Sequence, residues 1–441
     1  MRPASVIEAT DPSPRHVVIA GGGVAAVEGL LALRALAPSH VTIELVSPET
    51  DFVYRPLSVA QPFGLVEPAR LPLEDLARDN GASFRRGALA EVDVAKRVMR
   101  TAEGAHLRYD SLLIAMGARA RPILPGALTF RGPQDAPAFR RLLDELEDGA
   151  VHTIAFAVPR PARWSLPLYE LALMTAARVA THGLEGVRLS VVTHERQPLD
   201  IFGTRVSSRL RQLLADAGIE LRTAEAPVAV QPGRGLLTSA GGVEAERVVA
   251  LAKLGVPIIP GIAQGPGGFI ATDPHGRVER APDVYAAGDV TWFPVKQGGL
   301  AAQQADAAAE AIAADAGARI APTPFTPVLR GILLTGGTSQ YLRGKTRGGG
   351  SAVSEDALWA PAAKVAGRYL APYLSGSAAG ELADAPPGDH KAALELALQA
   401  ADAAAGWNDP AGALRWLAVA EGLNVALPVE YAERRREWQL A

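Results

Sequence analysis

His16-Val17-Val18-Ile19-Ala20-Gly21-Gly22-Gly23-Val24-Ala25-Ala26-Val27-Glu28 is the stretch on which the reading of this chain turns. A continuous apolar run, Val17 to Ala20, has the pattern of a strand buried on both faces. It feeds a G-x-G-x-x-G loop in which Ala26 fills the last place. Gly21 permits the tight turn, Gly23 lets backbone approach a pyrophosphate, and a small residue at Ala26 allows helix–strand packing. Val24 and Ala25 open the helix whose N-terminus faces the phosphates. A lone glycine loop is often only a packing turn, but a second apolar strand follows here, Val41 to Val46. Its end should offer an acid for the ribose hydroxyls, about 20 residues beyond the glycines. Ser47 stands at that end, and Glu49, two residues on, is the candidate.

A matching half lies far downstream. Val284-Tyr285-Ala286-Ala287-Gly288-Asp289 reads as a short strand and a turn carrying one carboxylate, followed by Lys296-Gln297-Gly298-Gly299 opening an alanine-rich helix. A helix N-terminus presents free N–H groups and partial positive charge. That suits an acceptor gaining negative charge, as a flavin does at its pyrimidine edge on reduction. Gly288 shapes the turn, and Asp289 suits the hydroxyls of a ribitol chain. Between the halves, Tyr109 to Ala118 reads as a strand ending in a small-residue turn, Ala115-Met116-Gly117.

Composition narrows the function classes. The chain has 441 residues, 48% hydrophobic and 21% charged, enough for two or three soluble domains. A formal net charge of −3 without a basic tract argues against a nucleic-acid partner. The absence of cysteine removes disulfides, thiolate nucleophiles, cysteine-held metals and dithiol relays. No metal site is expected. Met1 to Pro14 shows no secretory pattern, and no apolar run reaches the roughly 20 residues of a spanning helix. A cytoplasmic protein is expected, with peripheral contact to the inner face of a membrane as the alternative.

Taken in order, the glycine loop, the Ala115-Met116-Gly117 turn and the Ala287-Gly288-Asp289 turn resemble the two-dinucleotide-domain flavoproteins, over about Val17 to Ala313. The nearest likeness is to sulfide:quinone oxidoreductases and type II NADH dehydrogenases. The resemblance implies bound FAD. It also implies that Phe52-Val53-Tyr54-Arg55-Pro56-Leu57 lies beside the isoalloxazine, and that Lys296-Gln297-Gly298 is the lysine turn near its pyrimidine edge.

A second βαβ order begins at Thr153 to Val158, with a helix over Leu168 to Ala180, a strand over Arg188 to Thr193 and a helix over Arg205 to Ala217. It suits a nicotinamide domain inserted in the first. Its phosphate loop does not suit that work. Val151 to His182 contains no glycine, and Pro159, Pro161 and Pro167 each remove a backbone donor. Arg160 and Arg163 offer charge instead, and Glu195 lies where a ribose-binding acid would be. NAD(P)H is expected to bind poorly. Trp164 to Glu170 resembles the Cys-x-x-x-Pro-Tyr-Glu stretch of sulfide:quinone oxidoreductases, with Trp164 near the cysteine's place. Without cysteine the sulfide chemistry fails while the lineage stands.

Toward the C-terminus, Pro322 to Thr335 reads as a strand pair, and Gly344 to Ser354 as a flexible loop. Trp359 to Leu374, containing Lys364 and Arg368, reads as a helix that caps the flavin pocket or lies on a membrane. Ser375 to Gly388 reads as a second linker. Residues 390–405 and 410–423 read as a helix pair with Asp409 as N-cap, which must dock on the body, a second subunit or a protein partner. Glu430 to Trp438 reads as a solvated charged end.

The expected architecture is α/β. It comprises two Rossmann-like dinucleotide-binding domains, the second inserted in the first, and a C-terminal α-helical region. The expected boundaries are 15–147 and 261–325 for the FAD domain, 148–260 for the degenerate nicotinamide domain, 326–388 for an interface region and 389–441 for a helical appendage. The expected function is FAD-dependent electron transfer between a small-molecule donor and acceptor, such as a quinone, with no cysteine relay and no assigned catalytic base. One alternative is an NAD(P)H:quinone oxidoreductase. Another is a flavin-containing protein that binds a partner, or a homodimer joined through its C-terminal helices.

Overall fold

The computed structural model describes residues 13–345, 351–382, 398, 414, 417 and 427–440. Its first layer is a five-stranded parallel sheet in the order Val284–Ala286, Ser111–Ile114, Arg15–Ala20, Val41–Ser47, Ser83–Arg86. The opening strand sits in the middle, which is why Val17, Val18 and Ile19 are all fully buried. Residues from the start and end of the first domain meet in this sheet, so the glycine loop and the Gly288-Asp289 turn emerge at one edge.

The helix Val24–Leu36 packs along the alanine-rich helix Gly298–Asp315 through small side chains, with Ala25, Ala32, Ala301, Ala305 and Ala309 buried in one core. Small residues at a helix contact shorten the interaxial distance. Here they draw two helix N-termini toward the same edge of the sheet. A meander of Leu89–Asp93, Val98–Thr101 and His106–Arg108 flanks the domain.

The second sheet is also parallel, in the order Leu128–Phe130, Arg247–Leu251, Thr153–Val158, Arg188–Thr193, Glu220–Arg222. Helices Leu166–Thr181 and Thr204–Asp216 belong to it. The strand Leu128–Phe130 joins this sheet, and the helix Ala136–Glu147 packs Phe139, Leu142 and Leu143 into its core. Both fall before the expected boundary at 148. The crossing point is the pair Arg119–Arg121 and Lys253–Gly255, antiparallel strands by which the chain leaves the first domain and re-enters it. The early part of the second domain was misplaced because a three-residue strand carries too little pattern to show which sheet it joins.

The C-terminal third departs further from expectation. Val328–Leu333 pairs antiparallel with Gln340–Lys345, and that strand with Ala352–Ser354. The region expected as a flexible loop therefore supplies two strand segments, and residues 346–350 lie outside the described ones. Residues 359–369 are not helical, and the helix runs Leu370–Leu382, across most of the expected second linker. Most of the expected helix pair, with Ala393, Leu394, Ala401, Asp409, Pro410 and Ala420, lies outside the described residues, while Leu398 and Leu417 are buried. The tail forms the helix Glu430–Leu440, in which Tyr431 is buried and faces Trp438 edge-on at 6.4 Å. Among the described residues no helix is long and apolar enough to cross a membrane.

Candidate functional site

The site is built where the carboxyl ends of the first sheet meet the two helix N-termini, the usual position for a ligand in an open α/β sheet. Gly21 has φ +146°, and a Cβ there would stand 2.2 Å from the Ala115 carbonyl oxygen. The glycine is required because the Ala115-Met116-Gly117 turn passes directly over it. At Gly23 the situation is opposite. No atom lies within 4 Å of a Cβ placed there, and the residue is the N-cap of the first helix without a side-chain cap or a first-turn acid. The first-turn N–H groups of Val24, Ala25 and Ala26 have no intrahelical acceptor. Ala26 itself is fully buried against the sheet. That is a cradle for an anionic group.

Beside it, Ser47 is buried and exposed Glu49 folds back on it, with 3.1 Å between Ser47 Oγ and Glu49 Oε2. A Cβ at Gly22 would meet Ser47 Oγ at 2.5 Å, so the strand end presses on the loop. Gly117 takes φ +69° as the chain turns away.

At the other end, Gly288 takes φ +82°, and a Cβ there would lie 3.0 Å from Ala25 Cβ. Its N–H donates to Gln304 Oε1 at 2.7 Å. Asp289, next along, is half-buried and receives no hydrogen bond among the described residues. Burial raises its carboxyl above the usual range, opposed by the charges of Lys296 and exposed Arg55. Lys296 is buried, donates to the Thr291 carbonyl and lies 4.2 Å from the Phe269 ring centroid. Desolvation pushes its ammonium down to about 8, although Asp289 opposes the shift and Arg163 adds to it. Arg55, Asp289, Lys296 and Arg163 therefore form one electrostatic group, with the Lys296 N–H 3.5 Å from the Arg163 carbonyl.

Gln297 and Gly298 have work of their own in the fold. The Gln297 side chain caps the alanine-rich helix, accepting from Leu300 N–H at 2.8 Å, and donates to the Arg330 carbonyl at 3.1 Å. A Cβ at Gly298 would strike Val365 at 2.8 Å. Val365 belongs to a strap, residues 361–369, expected as part of a helix capping the flavin pocket and found as non-helical chain. The strap enters between the Arg55 turn and the helix N-terminus. Val365 N–H donates to Tyr54 Oη at 2.7 Å, and Lys364 Nζ donates to the Pro56 carbonyl at 2.9 Å. Lys364 is buried against Glu170, 2.6 Å away, so this lysine faces inward and not toward a membrane. Farther along, Tyr369 and Leu370 N–H groups donate to Glu28, each at 2.8 Å. The available signal was a lone lysine inside an apolar run.

In the second domain the place of the phosphate loop is closed. Pro159 is buried, and Ala162 N–H returns to its carbonyl at 2.9 Å. Glu195 accepts from Ser165 Oγ at 2.8 Å, Tyr169 Oη at 2.6 Å and Thr193 Oγ1 at 3.0 Å. A carboxylate holding three protein hydroxyls has little capacity for a ribose. Trp164 is half-buried and packs on Phe202 at 5.8 Å between centroids. Arg160 and Arg163 are both exposed. Among the described residues no cluster of histidines and acids is placed to hold a metal ion.

An open anion cradle, a half-buried carboxylate awaiting donors and a buried lysine beyond it fit the pyrophosphate, ribitol and pyrimidine edge of FAD. The pyridine nucleotide-disulphide oxidoreductase family matches residues 15–151 and 170–312. A NADH dehydrogenase-like protein from Mycobacterium tuberculosis is 29% identical over 235 residues, covering 50% of this chain and 58% of that protein. An external alternative NAD(P)H-ubiquinone oxidoreductase from Arabidopsis thaliana is 22% identical, covering 62% of this chain and 54% of that one. The chain thus spans little more than half the length of these relatives. The solved sulfide:quinone oxidoreductase of Aquifex aeolicus superposes with a TM-score of 0.71 at 19% identity, over 77% of this chain and 87% of that one, a likeness of fold. Two parallel dinucleotide folds, one inserted in the other, and a family match across both make the chain a member of the pyridine nucleotide-disulphide oxidoreductase family.

Proposed function

We propose that this enzyme exchanges electrons directly between its flavin and a small-molecule substrate, with no cysteine relay and without NAD(P)H as a tightly bound reductant. The observation that supports the reading is Glu195, whose carboxylate already accepts from Ser165, Tyr169 and Thr193 at the position expected for a ribose-binding acid. FAD supplies reversible two-electron chemistry when bound. Around it, Val24, Ala25 and Ala26 N–H groups would hold the pyrophosphate, aided by the bare Gly21 and Gly23. Ala115, Met116 and Gly117 would close over the loop, and Glu49 would approach the adenosine ribose. Asp289 would accept from the ribitol hydroxyls. Lys296 would donate at the pyrimidine edge, charged at neutral pH and losing its proton near pH 8. Gly298 and Gln297 would keep the helix N-terminus in register behind it, and Arg55 would set the charge at the mouth.

A second reading is an NAD(P)H:quinone oxidoreductase, favoured by the names of the Mycobacterium tuberculosis and Arabidopsis thaliana relatives. Anaerobic stopped-flow reduction of the FAD-loaded enzyme by NADH and NADPH, followed by mixing with quinones, separates the two. Slow bleaching of the flavin absorbance, without saturation at micromolar NADH, is expected. Fast saturable bleaching would put the second reading first. Quinone-dependent reoxidation would identify the acceptor class in either case.

A further inference from the structure

The antiparallel strands Val328–Leu333 and Gln340–Lys345 set Arg330 directly opposite Arg343. Residues opposite each other in such a pair share one face of the sheet, with Cβ atoms about 4.5–5.5 Å apart. Leu329, Leu333 and Leu342 take the other face and lie in the second domain's core. The two arginines therefore stand together on the face turned away from that core.

Like charges directly opposite one another destabilise a strand pair unless something answers them. Beside this same sheet Arg209 is answered, by Glu355 at 3.0 Å. Among the described residues neither Arg330 nor Arg343 pairs with a carboxylate or donates a side-chain hydrogen bond. Arg343 is exposed, but Arg330 is half-buried, and its Nε–H is shut off from water without an acceptor. Burial pulls the Arg330 guanidinium below its ordinary value, and the charge of Arg343 adds to the fall. A desolvated, unpaired cation facing a second cation is costly to keep, so the pair calls for an anion from outside.

We propose that Arg330 and Arg343 together bind the carboxylate of an apolar, aromatic organic acid. Guanidinium forks match the two oxygens of a carboxylate. The neighbours decide the rest of the molecule. Ile332 and Tyr341, opposite each other, adjoin the arginines on the same face, and Trp359 meets Tyr341 edge-on at 5.4 Å. A phosphate would set its remaining oxygens against these apolar groups, whereas a ring carrying one carboxylate would not. The face also adjoins the flavin elements. The Arg330 carbonyl accepts the Gln297 amide at 3.1 Å, beside Lys296. The Trp359 indole donates to the Ala363 carbonyl at 3.0 Å, in the strap whose Val365 packs on Gly298. The inference rests on the proposed function only in making this acid the redox substrate. Binding is read without turnover, so the two can fail separately.

The test titrates full-length, FAD-saturated protein calorimetrically, at fixed ionic strength, with benzoate, benzamide and inorganic phosphate. Saturable benzoate binding is expected, with uncharged benzamide at least about tenfold weaker. Arg330→Met and Arg343→Glu should each weaken benzoate about tenfold or more, the loss of one charge-assisted contact. Neither substitution removes a paired group, so both variants should fold. Arg343→Glu should also raise the melting temperature by about 1–3 °C without ligand, because the new carboxylate stands opposite Arg330. Arg121→Ala, at an exposed arginine of the domain crossing, should leave binding unchanged. The proposal is overturned if benzoate does not saturate, or if either variant of the pair binds it as the wild type does. It also fails if benzamide binds equally, if phosphate binds more tightly, or if Arg121→Ala abolishes binding. A melting temperature that does not rise in Arg343→Glu would show the pair to be already answered, and would overturn it too.

Discussion

Lys364 places its ammonium 2.6 Å from the Glu170 carboxylate in the interior, with only 7% and 1% of the two side chains exposed. The pair joins three distant parts of the chain. Glu170 comes from the second domain's helix Leu166–Thr181, Lys364 from the C-terminal strap, and the lysine's further bond reaches the Pro56 carbonyl in the Arg55 turn. Leu334 N–H donates to the same glutamate at 3.0 Å.

Breaking such a pair on one side should be more damaging than removing it whole. Lys364→Met leaves a buried carboxylate, and Glu170→Leu a buried ammonium; each is expected to cost about 3–5 kcal/mol. The double variant should recover much of that loss. Denaturant unfolding of the three proteins measures the coupling, and strict additivity of the two single losses would contradict it.

The two loop glycines should separate folding from cofactor binding. Gly21→Ala drives a methyl group into the Ala115 carbonyl, backbone against backbone, and should lower stability by several kcal/mol, on the order of other core overpacking costs or more. Gly23→Ala meets no atom in the protein. Its apo-protein stability should change by about 1 kcal/mol or less while FAD affinity falls. Thermal melts of apo-protein beside FAD titrations read the two effects separately.

Asp289→Ala should purify with less than stoichiometric flavin. If Asp289 accepts from the ribitol hydroxyls as proposed, its removal should weaken FAD at least about tenfold. Flavin absorbance relative to protein absorbance, before and after dialysis, gives the answer. Unchanged retention would move the ribitol contact to another residue.

NADH affinity should be millimolar or weaker. The loop from Pro159 to Arg163 replaces several charge-assisted hydrogen bonds, each worth about 1.5–3 kcal/mol, with two prolines and two exposed arginines. Titration calorimetry with Arg160→Ala and Arg163→Ala together should lower the residual affinity further. A micromolar dissociation constant in the wild type would reverse the assignment of this domain.

Buried Glu28 and half-buried Asp306 make stability pH-dependent in an unusual direction. Burial raises both carboxyls, and each carboxyl is further affected by the other, with Glu310, Arg368 and Tyr369 close by. The folded protein thus keeps a proton that the unfolded chain releases above its ordinary carboxylate range, so this pair's contribution falls as pH rises. Asp306→Asn should raise the melting temperature at pH 8 and do less at pH 5. A gain of about 2–4 °C is expected for each kcal/mol relieved, read from melts at the two pH values.

How far the sequence carried the fold depends on the kind of contact. Gly21, Gly288 and the apolar strand runs were readable because a positive φ and burial on both faces each restrict residue choice locally. The deficiency of the second domain was readable too, from prolines standing where donors are needed. Nothing local in Glu195 said that Tyr169 and Ser165 would occupy it, since those hydroxyls come from another turn of the fold. The reading of Lys364 stayed open between the flavin pocket and a membrane surface because a lysine in an apolar run looks the same whether its partner is water or a glutamate 194 residues away. The helix-capping role of the Gln297 amide was not legible either, since it depends on the helix's entry angle.

The antiparallel pair of Arg119–Arg121 and Lys253–Gly255 makes the second domain an inserted cassette, held to the rest by the Phe63–Phe139 contact and the Lys364–Glu170 pair. Its entry and exit lie side by side, so the first sheet closes through Val284–Ala286 whatever the cassette contains. Selection could therefore erode nucleotide recognition inside it, prolines replacing glycines and hydroxyls filling an acid, without disturbing the cradle that holds the flavin. An ancestral donor site can decay in this arrangement while the electron-carrying half stays intact.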